Sequence, residues 1–311
     1  MKEIFYRFLI ALSKLMGQWV FRIIAWGIAS GYFLFSPRRV AVSLRFYRAL
    51  FPSKRGWHHL WCTWRQYHNF ANVFLDRFRL FDDPHVAFAH EGWEYLENAV
   101  NSKIGGVILM SHMGNWEIAA RLLQLRGRDN PGMKLLLYLG RKHKEQIERA
   151  QKESLVLSGV KIIAIEEGGS SPFDILEGIN FLKAGGLVSL TGDRKWREDQ
   201  RSIPVHFLGH EVFLPEAPFV LALLSGAPIF TFFAYSMGRH KYHFKILPPQ
   251  YVHAQDRRER REAIRGAAQA YAECLEDALR HRPFEWYHFE QFIGRKLPET
   301  AGSWRENTCL L

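Results

Sequence analysis

Short apolar runs alternate with helix-like stretches between residues 101 and 247, and this alternation constrains the fold more than any other feature. The apolar runs are predicted to be strands, at 106–110, 134–139, 160–165, 186–190, 228–235 and 242–247. Helices are predicted between most of them, at 116–125, 144–158, 172–183 and 215–224. Alternation of this kind predicts an α/β fold, in which a mixed sheet is flanked by helices.

Helical patterns are also expected on both sides of this region. Residues 40–100 carry aromatic side chains at spacings of 3, 4 and 7, which is typical of helices that pack on a core. A long helix is predicted from about Gln255 to Arg280, and its charged start is mixed in sign, as on a solvated face. Because no repeat or linker interrupts the chain, we expect one catalytic domain over residues 37–311.

The amino end is predicted to anchor the chain to a membrane. Residues 17–36 contain one charged residue, Arg22, and as a helix they reach roughly 30 Å, about the hydrocarbon thickness of a bilayer. A cleaved signal peptide is not expected, since no small-residue cleavage site follows. Positive charges flank the segment on both sides, so residues 1–36 are interpreted as an anchor that either spans the membrane or lies on it. A buried helix pair is the alternative.

The chain is basic, with 42 Lys and Arg against 31 Asp and Glu and a net charge of +11. This balance implies an anionic partner, for example phospholipid headgroups, a phosphorylated substrate or nucleic acid. No concentrated basic helix or RNA-binding signature is present, so nucleic acid is not expected. The three cysteines, Cys62, Cys274 and Cys309, are too far apart for a disulfide scaffold and lack metal-ligand spacing.

The residues with the clearest chemistry follow the first predicted strand of the alternating region. Residues 111–117 read Ser-His-Met-Gly-Asn-Trp-Glu, and a predicted helix follows. This places His112 at the carboxyl edge of a strand, where open α/β sheets hold their sites. The Gly114-Asn115 turn can fold His112 back towards Glu117. A carboxylate on one imidazole nitrogen fixes the tautomer and leaves the other nitrogen as a general base.

The spacing alone is not specific, because two other pairs share it. His143/Glu148 lies on a charged predicted helix, and His206/Glu211 lies in a strand-and-loop stretch. Only the first pair has the strand, glycine turn and helix entry that the mechanism needs. The alternative for His112 is a hydrogen-bonded core histidine.

The block around His112 resembles the bacterial lipid A late acyltransferases (lauroyl/myristoyl acyltransferases), which carry the His-x4-Asp/Glu signature of glycerolipid acyltransferases. Weaker matches follow in the expected order, at 138–142, 186–194, 207–218, 225–228 and 283–286. The Phe-Pro-Glu-Gly-Thr motif of glycerol-phosphate acyltransferases is absent. The loop after Asp193-Arg194 is more polar than in the housekeeping lipid A enzymes, which points to a related but different acceptor.

The resemblance implies acyl transfer without a covalent enzyme intermediate, with His112 as general base oriented by Glu117. It implies a substrate-binding set of Asn115, Arg141, Asp193, Arg194 and Lys195. The implied donor is an acyl-carrier protein or acyl-CoA thioester, and the implied acceptor is an anionic lipid such as lipid A or a related glycolipid. No cofactor or metal is expected. The implied location is the bacterial inner membrane, with the site at its cytoplasmic surface.

Two other classes of function remain open on sequence grounds. A hydrolase that uses Ser111 or a cysteine as nucleophile is one, although no Gly-x-Ser-x-Gly elbow surrounds Ser111. A non-catalytic basic membrane-binding protein is the other, but it leaves the His112–Glu117 block unexplained.

Overall fold

The computed structural model describes residues 18–80, 87–115, 133–140, 161–165, 172–195, 199–238 and 241–298. The chain divides into two compact units. One unit lies within residues 1–86 and 279–293, and its described elements are helical. The other lies within residues 87–278 and 294–311 and contains the sheet.

Three helices lie within the described part of residues 1–86. They are α1 (Gln18–Phe35), α2 (Pro37–Leu50) and α3 (Gly56–Leu80). The axes of α1 and α2 differ by 91° across the short break at Ser36. Pro37 opens α2, where its missing N–H is not needed, so the chain starts a new helix there. The helix expected at residues 17–36 is confirmed as α1.

Polar side chains join α1 to α3. The indole Nε1–H of Trp26 donates to Oδ1 of Asn72 at 3.1 Å. The His68 imidazole bonds the Trp64 carbonyl oxygen through Nδ1, at 2.8 Å, and the Ser30 hydroxyl through Nε2, at 3.0 Å. A carbonyl only accepts, so Nδ1 carries the proton and Nε2 accepts from Ser30. One side of α1 is therefore fixed against α3.

The core of this unit forms around the 283–286 segment singled out in the sequence. Trp286 is buried, and its carbonyl oxygen accepts a hydrogen bond from the Gln66 side chain at 2.6 Å. The hydroxyl of Tyr47, also fully buried, donates to the carbonyl oxygen of Pro283 at 3.0 Å. These bonds satisfy backbone groups that carry no regular secondary structure.

No single helix in the described part of the chain is long and apolar enough to cross a membrane. The bent pair of α1 and α2 meets the length and composition requirement only when the two helices are taken together.

The second unit contains a seven-stranded mixed sheet and a separate hairpin. Its described helices are α4 (Trp93–Asn101), α5 (Pro172–Lys183), α6 (Ala217–Ser225) and most of α7 (Arg260–His281). The sheet strands are β1 (Ala87–Glu91), β2 (Gly106–Gly114), β3 (Leu135–Gly140), β4 (Lys161–Ile165), β5 (Leu187–Thr191), β8 (Ile229–Ser236) and β9 (Lys241–Ile246). The hairpin pairs β6 (Ser202–Phe207) with β7 (His210–Pro215).

The strand order in the sheet is β1-β9-β8-β2-β5-β3-β4. Strands β2, β3, β4, β5 and β8 are mutually parallel, whereas β9 runs antiparallel to β8 and β1 runs parallel to β9. The central strands β2, β5 and β8 are buried along nearly their whole length, so they appear in the sequence as continuous apolar runs. All six strands expected from those runs are present, which confirms the predicted mixed α/β sheet.

Several described elements differ from the sequence prediction. Residues 87–91 were expected in a helical region but form β1, because their backbone pairs with β9 at the sheet edge. The hairpin strands β6 and β7 were not predicted individually. Helix α7 starts at Arg260 rather than near Gln255, since the Asp256 carboxylate accepts backbone N–H bonds from residues 258 and 259 and holds a turn before the helix. The helices predicted at 116–125 and 144–158 lie outside the described residues.

Candidate active site

His112 lies in a β-bulge at the carboxyl end of β2. Met110 is paired with Phe232 of β8, and Gly114 is paired with Ala234, so three residues of β2 face a single residue of β8. A bulge of this kind bends the strand and changes the direction of its side chains. The sequence suggested that the strand ends at Met110 and a loop follows. The strand instead continues to Gly114, and His112 sits at the centre of its irregular part.

At Gly114, strand β2 pairs with β8 again after the bulge. The φ of Gly114, +70°, lies in the left-handed region, and a Cβ added there lies 1.5 Å from the carbonyl oxygen of Ala234. Only glycine fits this approach. The backbone N–H of Asn115 then donates to that same carbonyl oxygen at 3.2 Å.

Asp193 reaches the site from the neighbouring parallel strand. Strand β5 ends at Thr191, and the Gly192 N–H donates to the Met110 carbonyl oxygen at 2.7 Å. Oδ1 of Asp193 lies 2.8 Å from His112 Nδ1, and Oδ2 accepts the backbone N–H of His112 at 2.7 Å. The Asp193 side chain has no solvent exposure, whereas the His112 side chain is 22% exposed.

This contact determines the chemistry of the imidazole. An ionised carboxylate only accepts hydrogen bonds, so the proton resides on Nδ1 and the lone pair on Nε2. That tautomer suits a general base, and the buried carboxylate stabilises the imidazolium that forms once Nε2 has taken a proton. The second bond, to the backbone N–H, fixes the carboxylate against the strand.

Two cations directly follow Asp193. Arg194 is partly buried, and this burial lowers the pKa of its guanidinium while the charge of Asp193 acts in the opposite direction. Arginine starts from so high a pKa that it stays charged. Lys195, also partly buried, comes next. A partly desolvated arginine beside the site is suited to holding a carboxylate, phosphate or other anionic group.

The family model described as bacterial lipid A biosynthesis acyltransferase matches residues 51–292, a range that includes both His112 and Asp193. The chain belongs to this family. It is therefore an acyltransferase that acts on a lipid acceptor, as the resemblance around His112 implied. No curated protein matches the chain.

The described part of this acyltransferase contains some of the expected site residues. His112, Asp193 and, by chain position, Asn115, Arg194 and Lys195 come together at the carboxyl ends of β2 and β5. Asn115 is buried directly after β2. Glu117 and Arg141 lie outside the described residues, so their predicted roles are not tested. Among the described residues, no cluster of three His, Cys, Asp or Glu is placed to hold a metal ion.

The contact between Asp193 and the imidazole was not anticipated for this lipid A acyltransferase homologue. Asp193 was expected to bind substrate, whereas it contacts the predicted base directly. The sequence did contain a signal, since Asp193 comes three positions after the end of the strand predicted at 186–190. What the sequence lacked was the strand order, which places β5 beside β2.

Ser111 and Cys62 are poorly suited to act as nucleophiles in this acyltransferase. Ser111 is 4% exposed, and its Oγ accepts the Met113 N–H at 3.3 Å. Cys62 is fully buried, and burial raises the pKa of its thiol to about 11, so little thiolate exists near neutral pH.

Proposed function

We propose that this protein transfers a fatty acyl chain from a thioester donor to a hydroxyl group of an anionic lipid, with His112 as the general base. Membership of the lipid A acyltransferase family supports the reaction class. The observation that carries the mechanism is the 2.8 Å contact between His112 Nδ1 and the buried Asp193 carboxylate. Asp193 is the proposed orienting residue at Nδ1, and Glu117 stays a predicted second acidic group.

The proposed reaction needs no covalent enzyme intermediate. Nε2 of His112 removes the proton from the acceptor hydroxyl as its oxygen attacks the thioester carbonyl carbon. The carbon–sulfur bond then breaks, and the leaving thiolate takes the proton back from the imidazolium, giving an ester and a free thiol. Asp193 stabilises the imidazolium between these steps. We propose that Arg194 holds an anionic group of one substrate, a role that Arg141 and Lys195 are expected to share.

A hydrolase with an acyl-enzyme is the competing function. It requires an activated nucleophile next to the base. Both the burial of Ser111 and its bond to the Met113 amide weigh against that serine, and the raised pKa of the Cys62 thiol weighs against that cysteine. The transferase is therefore the better supported proposal.

The proposed donor is an acyl-carrier protein rather than acyl-CoA. Acyl-carrier proteins are acidic, and a chain with a net charge of +11 attracts an acidic partner. The proposed acceptor is lipid A or a related phosphorylated glycolipid. Because the proposed acceptor is a lipid, we propose that the enzyme acts at a membrane, at the cytoplasmic surface of the bacterial inner membrane.

The helical unit supplies a surface for that membrane. Helix α1 exposes large apolar side chains over most of its circumference: Trp19 63%, Ile23 62%, Ile24 42%, Trp26 37%, Ile28 59%, Tyr32 56%, Leu34 69% and Phe35 85%. Arg38 and Arg39, which follow the bend, are exposed and can contact anionic headgroups. The opposite side of α1 is hydrogen-bonded to α3 through Ser30 and His68. We therefore propose that α1 lies in the interface of one leaflet.

Acyl transfer by the full-length protein tests the proposal. The assay supplies a phosphorylated disaccharide glycolipid in detergent micelles, with either acyl-carrier protein or acyl-CoA thioester, and separates acylated lipid from free fatty acid. His112→Ala and Asp193→Asn are each expected to lower the rate at least about 100-fold, since both remove the positioned base. His143→Ala, from a pair with the same sequence spacing, is the matched control and should keep its rate.

The same assay separates the two acidic residues. If Asp193 orients His112, the double variant His112→Ala/Asp193→Asn is little worse than His112→Ala alone, because the two act as a unit. Near-normal turnover by folded His112→Ala protein contradicts the mechanism. Full activity in Asp193→Asn with loss of activity in Glu117→Gln assigns the orienting role to Glu117 instead.

A further inference from the structure

A buried tyrosine of α7 contacts both strand ends that carry the His112–Asp193 pair. Tyr271 has no solvent exposure, and its hydroxyl donates to the carbonyl oxygen of Met110 at 3.2 Å. That carbonyl oxygen also accepts the Gly192 N–H at 2.7 Å. The carbonyl oxygen of Met110, where the β2 bulge begins, is therefore bonded both to Gly192, the residue before Asp193, and to the Tyr271 hydroxyl.

The bulge also contacts Tyr271 through Ser111. The Ser111 hydroxyl interacts with the Tyr271 phenol and lowers its pKa. Oγ of Ser111 in turn accepts the Met113 N–H at 3.3 Å. Ser111 therefore interacts with Tyr271 on one side and holds the Met113 amide on the other, so it connects the bulge around His112 to the phenol.

The ring of Tyr271 also fills the space beside the turn that leads to Asp193. A Cβ added at Gly192 lies 2.7 Å from Cζ of Tyr271, so the backbone runs directly against the phenol. A side chain at position 192 is excluded, and the turn has little room to move. The ring of Tyr271 therefore limits the position of Asp193. The hydroxyl of Tyr271 limits the position of His112 in the same way.

The surroundings keep this hydroxyl protonated. Burial raises the pKa of Tyr271 well above its ordinary value, and the negative charge of Asp193 and the nearby Cys274 act in the same direction. The interaction with the Ser111 hydroxyl acts in the opposite direction. Tyr271 is therefore a neutral hydrogen-bond donor at working pH and takes no part in proton transfer.

We propose that Tyr271 is a positioning residue that sets the distance between His112 and Asp193 by bracing the β2 bulge and the end of β5. The inference rests on the proposed role of His112 as general base and adds a residue that no motif in the sequence marked. Removing a group that holds a reacting side chain in place typically lowers the rate about 10- to 100-fold. The reason is that a small displacement of the reacting atoms raises the activation free energy.

Tyr271→Phe tests the inference in the full-length protein, with Tyr47→Phe as its matched control. Both tyrosines are fully buried, and each donates its hydroxyl to a backbone carbonyl oxygen, at 3.2 Å and 3.0 Å respectively. Tyr271→Phe is expected to lower kcat about 10- to 100-fold with KM changed less than about twofold. It should also move or broaden the low-field proton NMR signal of the His112 Nδ1–H, assigned by its loss in Asp193→Asn. Tyr47→Phe should leave kcat and this signal unchanged.

The outcomes separate the inference from the function on which it rests. Unchanged kcat and an unchanged NMR signal in Tyr271→Phe overturn the positioning role, as does an equal loss of kcat in both variants. If the signal changes in Tyr271→Phe while His112→Ala stays fully active, the positioning role of Tyr271 is supported and the proposed catalytic function is overturned. If Tyr271→Phe does not fold, Ser111→Ala is the second test, because it removes the hydroxyl that holds the Met113 amide and interacts with Tyr271. It is expected to lower kcat several-fold and shift the signal, and no change in either measurement overturns the inference.

Discussion

Arg194 combines a positive charge with partial burial directly after Asp193, and this combination gives a pH-dependent prediction. Burial disfavours the charged form of a base and so lowers its pKa, as it does for Arg194. Lysine has an ordinary pKa of about 10.4, so the same burial brings Lys in Arg194→Lys within reach of deprotonation. The charge is present below the lowered pKa and is lost as the pH rises through it. We therefore expect KM of Arg194→Lys for the anionic substrate to rise between about pH 8 and 10.

Steady-state kinetics from pH 7 to 10 check this prediction, with Arg261→Lys as the control. Arg261 is exposed at the start of α7, so its replacement by lysine should leave the pH profile of KM as in the wild type. A KM for Arg194→Lys that follows the wild type over the whole range shows that position 194 does not hold an anion.

At the scale of residues, the sequence identified the members of the site more readily than their contacts. His112 and Asp193 each follow a strong apolar strand pattern, so both could be assigned to a sheet edge. They are 81 positions apart in the chain, and nothing in the sequence states that β5 lies beside β2. The sequence therefore predicts Glu117, the nearest carboxylate along the chain, as the orienting group. Tyr271 was missed for the same reason, since it reads as one more apolar position of a long helix.

At the scale of elements, buried strands were predictable and irregular pairing was not. The core of β2 appears in the sequence as an unbroken apolar run, but its bulge arises from the register with β8 and leaves no local pattern. Likewise β1 is an exposed edge strand without a marked alternation, and only its pairing with β9 defines it. The hydrophobic periodicity of a strand therefore predicts which of its residues are buried. Where the strand bends and ends depends on its pairing with neighbouring strands.

The exposed face of α1 carries the prediction that belongs to this scale. The variant Ile23→Gln/Ile28→Gln/Leu34→Gln removes three apolar side chains that are 59–69% exposed. Each loses at least about 1 kcal/mol of burial in a bilayer interface, so binding to anionic phosphatidylglycerol vesicles should fall at least about 10-fold. Cosedimentation at low and high salt measures this loss, and the apolar part of the binding is the part that resists salt.

The control for that experiment comes from the sheet unit. Leu176→Gln/Leu224→Gln/Met237→Gln removes three side chains that are 45–53% exposed, and it should leave vesicle binding unchanged. Equal loss of binding in both triple variants means that α1 is not the membrane surface. Unchanged melting temperatures establish that neither variant acts through unfolding, which is the expected result for exposed positions.

At the scale of the whole molecule, the order of substrate binding is the property that distinguishes direct acyl transfer from a mechanism with an acyl-enzyme. A general base that acts on the acceptor hydroxyl requires donor and acceptor to be present together. A nucleophile instead accepts the acyl group from the donor alone and releases thiol in a burst. The His112–Asp193 pair, the hydrogen-bonded Ser111 and the protonated thiol of Cys62 all favour the first scheme.

Incubation of the full-length protein with acyl-carrier thioester and no acceptor should therefore leave the protein mass unchanged and give no stoichiometric release of thiol. Slow release of free fatty acid is compatible with the proposal, because water can replace the acceptor hydroxyl at His112. Intact-protein mass spectrometry and a thiol assay on the millisecond to minute scale make the two measurements. His112→Ala serves as the control, since it should abolish even the slow hydrolysis. The contradicting result is an acylated peptide that contains Ser111 or Cys62 and passes its acyl group to the lipid when the acceptor is added, which establishes a ping-pong enzyme. We expect no such peptide because both side chains are buried.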